Sequence, residues 1–143
     1  MQGNVYQIAS HRYGGQPHLY VVVLEFTGNQ DCIVVPAFSA DGHMVNEVIQ
    51  ARLDEGNRID EIVVTLDNAR YIQFIGHHTG KIAYWLVSDA DRLSLKDVTG
   101  HALLGTMLPD GLQELAKGLL NYAPNSTRFS SATLKKLRKM ASP

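Results

Sequence analysis

Residues 11–18 read HRYGGQPH. This short stretch holds two imidazoles, one guanidinium and one carboxamide around a pair of glycines. A histidine can take or give a proton near neutral pH. An arginine stays charged, and its planar fork matches two phosphate oxygens. His11 and His18 bracket the loop, and Arg12 and Gln16 lie within it. Gly14 and Gly15 supply turn freedom, and Pro17 stops any helix. The same residues also fit a solvated connector. A second concentration is GHHTG at 76–80. His77 and His78 could line a nucleic-acid groove or bind a metal, but adjacent histidines facing opposite sides of a strand turn is the preferred reading. The other histidines and Cys32 show no C-x-x-C or H-x-x-x-H spacing, so no metal or other cofactor is expected. Walker-type phosphate loops, a nucleophile elbow and a dinucleotide fingerprint are absent. Tyr13, Tyr20, Tyr71, Tyr84 and Trp85 could stack unpaired bases. Aromatics also favour strands, which makes core positions their simpler use.

These residues must be held by something, and the hydrophobic pattern shows what. NVYQIAS reads as a first strand, and HLYVVVLEF (18–26) as a second whose continuous apolar centre predicts cover on both faces. TGNQD (27–31) reads as a hairpin-type connection. CIVVPAF (32–38) reads as a third strand, with Pro36 at its end or an edge. Cys32 is expected to be an inert buried thiol. From residue 41 the period changes: Met44, Val45, Val48, Ile49 and Leu53 fall at helical spacing, closed by Gly56. IDEIVVTL (59–66), NARYIQFIG (68–76) and KIAYWLVS (81–88) read as strands, and RLSLKDVTG (92–100) as a short strand or turn. Leu112, Leu115, Leu119 and Leu120 form one face of a helix, with Asp110 as its candidate N-cap. NYAPNSTRFSS (121–131) reads as a polar linker, and SSATLKKLRKM as a second, basic helix or a frayed tail. The expected fold is α+β: a small antiparallel β-barrel or sheet with a mid-chain helix and a C-terminal helix.

At 143 residues, one domain is expected, here residues 1–123, with 124–143 as a basic C-terminal extension. The net charge of −1 hides an asymmetry. The extension carries five basic and no acidic side chains, on a body with 8 basic and 14 acidic ones. Such a tail can touch nucleic acid, an acidic partner or its own body. The N-terminus lacks a basic start followed by an apolar stretch, and the longest strongly apolar run is far too short to span a bilayer. One cysteine permits no internal disulfide. A cytoplasmic protein with no membrane partner is the expectation.

In order, the segments VYQIASHRYGGQPHLYVVVLEF, CIVVPAFSA, YWLVSDADRLSLKDV and LLGTMLPDGLQELAKGLL resemble the MazF/PemK toxin family, whose fold is shared with Kid and CcdB. The likeness covers roughly residues 3–122, omits 40–82, and is closest in the last segment. Family members carry Arg before the loop proline, where this chain has Gln16. They carry Thr or Ser after the strand-three proline, represented here by Ser39.

The resemblance implies a toxin of a toxin–antitoxin pair: a metal-independent endoribonuclease, usually homodimeric, that cuts single-stranded RNA and is covered by an antitoxin segment. Attack by the ribose 2′-OH needs a base, an acid for the leaving oxygen, and a cation for the phosphorane. Arg12 is the candidate cation. His11 and His18 are candidate base or acid. Asp89 and Asp91 match the acidic turn where Kid-type enzymes place a carboxylate, although Asp also caps turns. Gln16, Ser39, Tyr13, His77 and His78 are candidate RNA contacts, with Ser39 as a phosphate donor. The alternative is a catalytically altered member of the same fold, acting as a protein-binding module or a gyrase-poison-like inhibitor.

Overall fold

The computed structural model describes residues 1–26, 28–122 and 129–143. Eight strands form a single curled antiparallel half-barrel sheet in an α+β fold. Chain order gives β1 (Asn4–Ala9), β2 (Pro17–Phe26), β3 (Asp31–Ser39), α1 (His43–Asp54), α2 (Ile59–Ile62), β4 (Val63–Asp67), α3 (Asn68–Tyr71) and β5 (Ile72–Phe74). It continues with β6 (Ile82–Leu86), β7 (Asp91–Ser94), α4 (Leu95–Thr99), β8 (Ala102–Met107), α5 (Pro109–Tyr122) and α6 (Ser131–Ala141). Single 3-10 turns lie at His11–Tyr13 and Val87–Asp89. The strand order is β4-β6-β3-β2-β1-β8-β5, with β7 also paired to β3.

The continuous apolar run of β2 has the predicted consequence. Val21, Val23 and Leu24 join a core that includes Leu115 and Leu119 of α5 and Leu137 of α6. Tyr20 and Val22 join a second core with Val45 of α1, Ile62 of α2 and Val98 of α4. A bulge between Val22 and Leu24 puts two consecutive residues, Val23 and Leu24, into the same core. Side-chain alternation then continues in the new register.

β3 is shared along its length. Asp31–Val34 pair with β7, and Ala37–Ser39 pair with β6. Pro36 sits inside the strand, not at its end. It lies where one partner stops and the next begins, a position that asks no N–H of it. The Val87–Asp89 turn bridges that break, so Asp89 is carried into the interior. Cys32 is fully buried and its thiol is pushed up to about 11, first by burial and then by Asp31 and Glu25.

Three segments depart from the pattern reading. Residues 59–62 and 68–71 are single helical turns that precede short strands, so the strand expected over 68–76 shrinks to Ile72–Phe74. Asp67 caps α3 by accepting from the Ala69 N–H, a local bond that overrides the strand alternation. Residues 102–107, to which the pattern assigned no strand, form β8 between β1 and β5. α5 starts at Pro109, which puts Asp110 in the first turn and not at the cap. The first residue of the 27–31 connection and much of the 121–131 linker lie outside the described residues. Among the described residues, no helix is long and apolar enough to cross a membrane.

Candidate functional site

At one end of the sheet β2 begins, β3 ends and β6 begins. A cavity of about 450 Å³ opens there, also bordered by the first turn of α1 and the 78–81 connection. Gln16, His18, Ser39 and His78 line it, together with Lys81 and Asn68 and the apolar Leu19, Phe38, Val45, Phe74 and Leu104. This mixture, mostly apolar with a few polar groups, suits a flat organic ligand with polar edges.

His18 forms part of the cavity wall. Its ring lies 4.2 Å from the Phe38 ring and 5.5 Å from the Tyr13 ring, edge-on to the latter. Among the described residues, its Nε2 is the one buried side-chain nitrogen or oxygen without a hydrogen-bond partner. An unsatisfied buried group costs about 1–3 kcal/mol, a cost that a ligand hydrogen bond removes. Burial also lowers the imidazole below its ordinary 6.5, which leaves it neutral and proton-accepting at neutral pH. His78 stacks at 5.9 Å on Phe74. The Ser39 hydroxyl donates to Asp41, whose carboxyl is lowered first by that bond. Trp85 Nε1 donates to Asn68 Oδ1 at 3.0 Å, which fixes the Asn68 amide against the barrel wall.

The other candidates gather elsewhere. Asp89 is fully buried, and its carboxylate is occupied. It accepts from Arg52 Nε at 2.8 Å, Arg52 Nη2 at 3.3 Å, Tyr13 Oη at 2.6 Å and Ser88 Oγ at 3.2 Å. Arg12 Nη1 donates to the Asp89 carbonyl at 3.0 Å, and Arg12 Nη2 lies 3.7 Å from the carboxylate. Burial alone would raise the Asp89 pKa. The hydrogen bonds from Arg52 and Tyr13 and the charges of both arginines outweigh it, and the net shift is downward. Tyr13 is pushed the other way, first by burial and then by its bond to Asp89, and stays protonated. It is buried, so its ring packs inward and offers no face to a base.

Arg12 therefore reaches solvent only in part, beside Asp91 and Arg92, in a second cavity of about 470 Å³ bordered by Phe129 and Thr133 of the C-terminal segment. The exposed Asp91 carboxylate accepts from the Arg92 N–H at 2.8 Å. His11 and His77 are exposed and line neither cavity. The structure thus unites Gln16, His18, Ser39 and His78, and separates them from Arg12, Asp89 and Asp91.

Lys81 and Arg52 escaped the pattern reading. Lys81 directly follows the His-His turn, and its position at the start of β6 was the available signal. Arg52 falls on the inward stripe of α1, seven residues after the buried Val45 and four after the half-buried Val48; a charge in line with those apolar positions was the available signal, and the fold brings it to Asp89, 37 residues away in sequence. No family model matches the chain, and no curated protein matches it.

Proposed function

We propose that the chain is a toxin-like, metal-independent endoribonuclease that takes single-stranded RNA into the Gln16–His18–Ser39–His78 cavity. The observation that carries the reading is the unpartnered, neutral His18 in a cavity wall that also holds a second histidine and a lysine. The chemistry is an internal transfer. His18 takes the proton of the ribose 2′-OH as that oxygen attacks phosphorus, a 2′,3′-cyclic phosphate forms, and the bond to the 5′-oxygen breaks. The leaving oxygen takes a proton from His78. Lys81 supplies the fixed cation for the extra phosphorane charge, the part that the family-like loop arginine would play. Gln16 and Asn68 offer amide groups to base edges, and Phe38 and Phe74 offer apolar contact. Under the same reading the partner is an antitoxin segment that fills this cavity, and the protein works as a homodimer in the cytoplasm.

The engagement of Arg12 and Asp89 with each other favours a second reading, a catalytically altered relative that binds through the cavity without cutting. Incubation of a mixed-sequence single-stranded RNA in EDTA with wild type, His18→Gln and Arg12→Ala separates the two. The nuclease reading expects cutting by wild type and Arg12→Ala, with at least a hundredfold loss in His18→Gln. No cutting by folded wild type leaves the binding reading.

A further inference from the structure

We propose that Asp89 and Arg52 position His18 by way of Tyr13. This rests on the reading of the His18 cavity as the RNA site. The path is short and made of defined contacts. Arg52, on α1, holds the Asp89 carboxylate through two nitrogens, and Asp89 accepts the Tyr13 hydroxyl at 2.6 Å. The Tyr13 ring meets Phe38 edge-on at 4.8 Å and His18 edge-on at 5.5 Å, and the Phe38 and His18 rings lie 4.2 Å apart, tilted by 41°. Three aromatic rings thus form one packed corner, and a single hydroxyl ties it to the buried ion pair.

The loop explains why such an anchor is needed. Gly14 and Gly15 both have positive φ, 68° and 76°, and a Cβ on either would meet nothing within 4 Å. The backbone between Tyr13 and His18 is therefore held by little side-chain packing of its own. Both residues before the glycines instead grip Asp89: Tyr13 at the carboxylate, Arg12 at the carbonyl. Asp89 so fixes the near end of the loop, and the Tyr13 ring fixes the orientation of the imidazole at its far end. The charged and titratable groups around His18 are Tyr13 with Asp89 and Arg12 behind it, and His78, Lys81 and Asp41 along the cavity and its rim. β3 contributes no charged group there, only Ala37, Phe38 and Ser39.

The test uses Tyr13→Phe, which keeps the ring and removes the hydroxyl, and Asp89→Asn. The His18 Hε1 resonance, assigned with His18→Gln, is followed by NMR against pH in each protein. RNA cleavage in EDTA is followed alongside. The expected result is that Tyr13→Phe stays folded while the His18 midpoint rises by about half a pH unit toward the free value. The acid limb of kcat moves with it, kcat falls about tenfold and KM changes less than twofold. Should Asp89→Asn fail to fold, Tyr13→Phe decides alone. An unchanged His18 titration and pH profile in folded Tyr13→Phe overturns the proposal. If wild type cuts no RNA but its His18 midpoint still moves on Tyr13→Phe, the positioning stands and the nuclease reading falls.

Discussion

Asp89 shows how one buried carboxylate can be stable at neutral pH. Its burial costs solvation, and the Arg52 guanidinium, the Tyr13 phenol and the Ser88 hydroxyl that donate to it, with the Arg12 charge at 3.7 Å, supply the compensation. Asp89→Asn leaves Arg52 with only the exposed Glu55 as counter-charge, so we expect a loss of about 3 kcal/mol in urea unfolding at pH 7. The folded pKa of Asp89 lies below its unfolded value, so its stabilisation is complete above about pH 4 and fades as the pH falls through the folded value. The gap between wild type and Asp89→Asn should therefore narrow below pH 4. His18 follows the same sign at a higher pH. Its folded pKa is depressed, so protein stability falls as the pH drops from about 6.5, and His18→Gln should remove that slope. Arg12, Asp89 and His18 were all visible in the sequence as chemically capable residues. Their separation into an ion pair and a cavity wall was not, because it depends on contacts across 76 or 77 positions and on Arg52.

The elements around the cavity place its groups by close approach. A Cβ on Gly80 would lie 2.5 Å from the Asn68 carbonyl carbon and 2.6 Å from the Ala69 Cα. Both are backbone atoms that cannot rotate away. Gly80→Ala must push the 78–81 connection off α3, which moves His78 and Lys81 relative to His18. We expect RNA cleavage to fall by at least tenfold, with a loss of about 1–3 kcal/mol in thermal unfolding. The long elements β2, β3, α1 and α5 were legible, since each carries several periods of its pattern. Four-residue helical turns such as α2 and α3 carry scarcely one period, and Asp67 settles α3 by a local cap. β8 was hidden because its ALLGTM run does not alternate like a half-buried strand, and because β1 and β5, its neighbours in the sheet, are remote in sequence.

Across the whole molecule, apolar packing and a cation–π contact hold α6 on the body. Ser130 caps α6 through the Thr133 N–H, and Leu137 is fully buried in the core under α5. Lys136 and Arg92 both lie over the Phe26 ring, at 5.2 and 4.6 Å. Leu137→Ala should cost about 3 kcal/mol with the urea m-value retained, which would show that α6 unfolds with the sheet. The basic composition of this segment was plain in the sequence; the docking of α6 rests on Leu137, with Phe129, Met140 and Ala141 packed against the same core. The proposed meeting place of RNA and protein is the His18 cavity. Its most direct measurement is the perturbation of backbone amide resonances on titration with a mixed-sequence 2′-O-methyl RNA, which cannot be cut. The account predicts shifts concentrated at residues 14–19, 39–45 and 78–83, and their loss in Lys81→Met at moderate salt. Shifts confined to α6 and the Arg12–Arg92 face, with the His18 cavity silent, would contradict it.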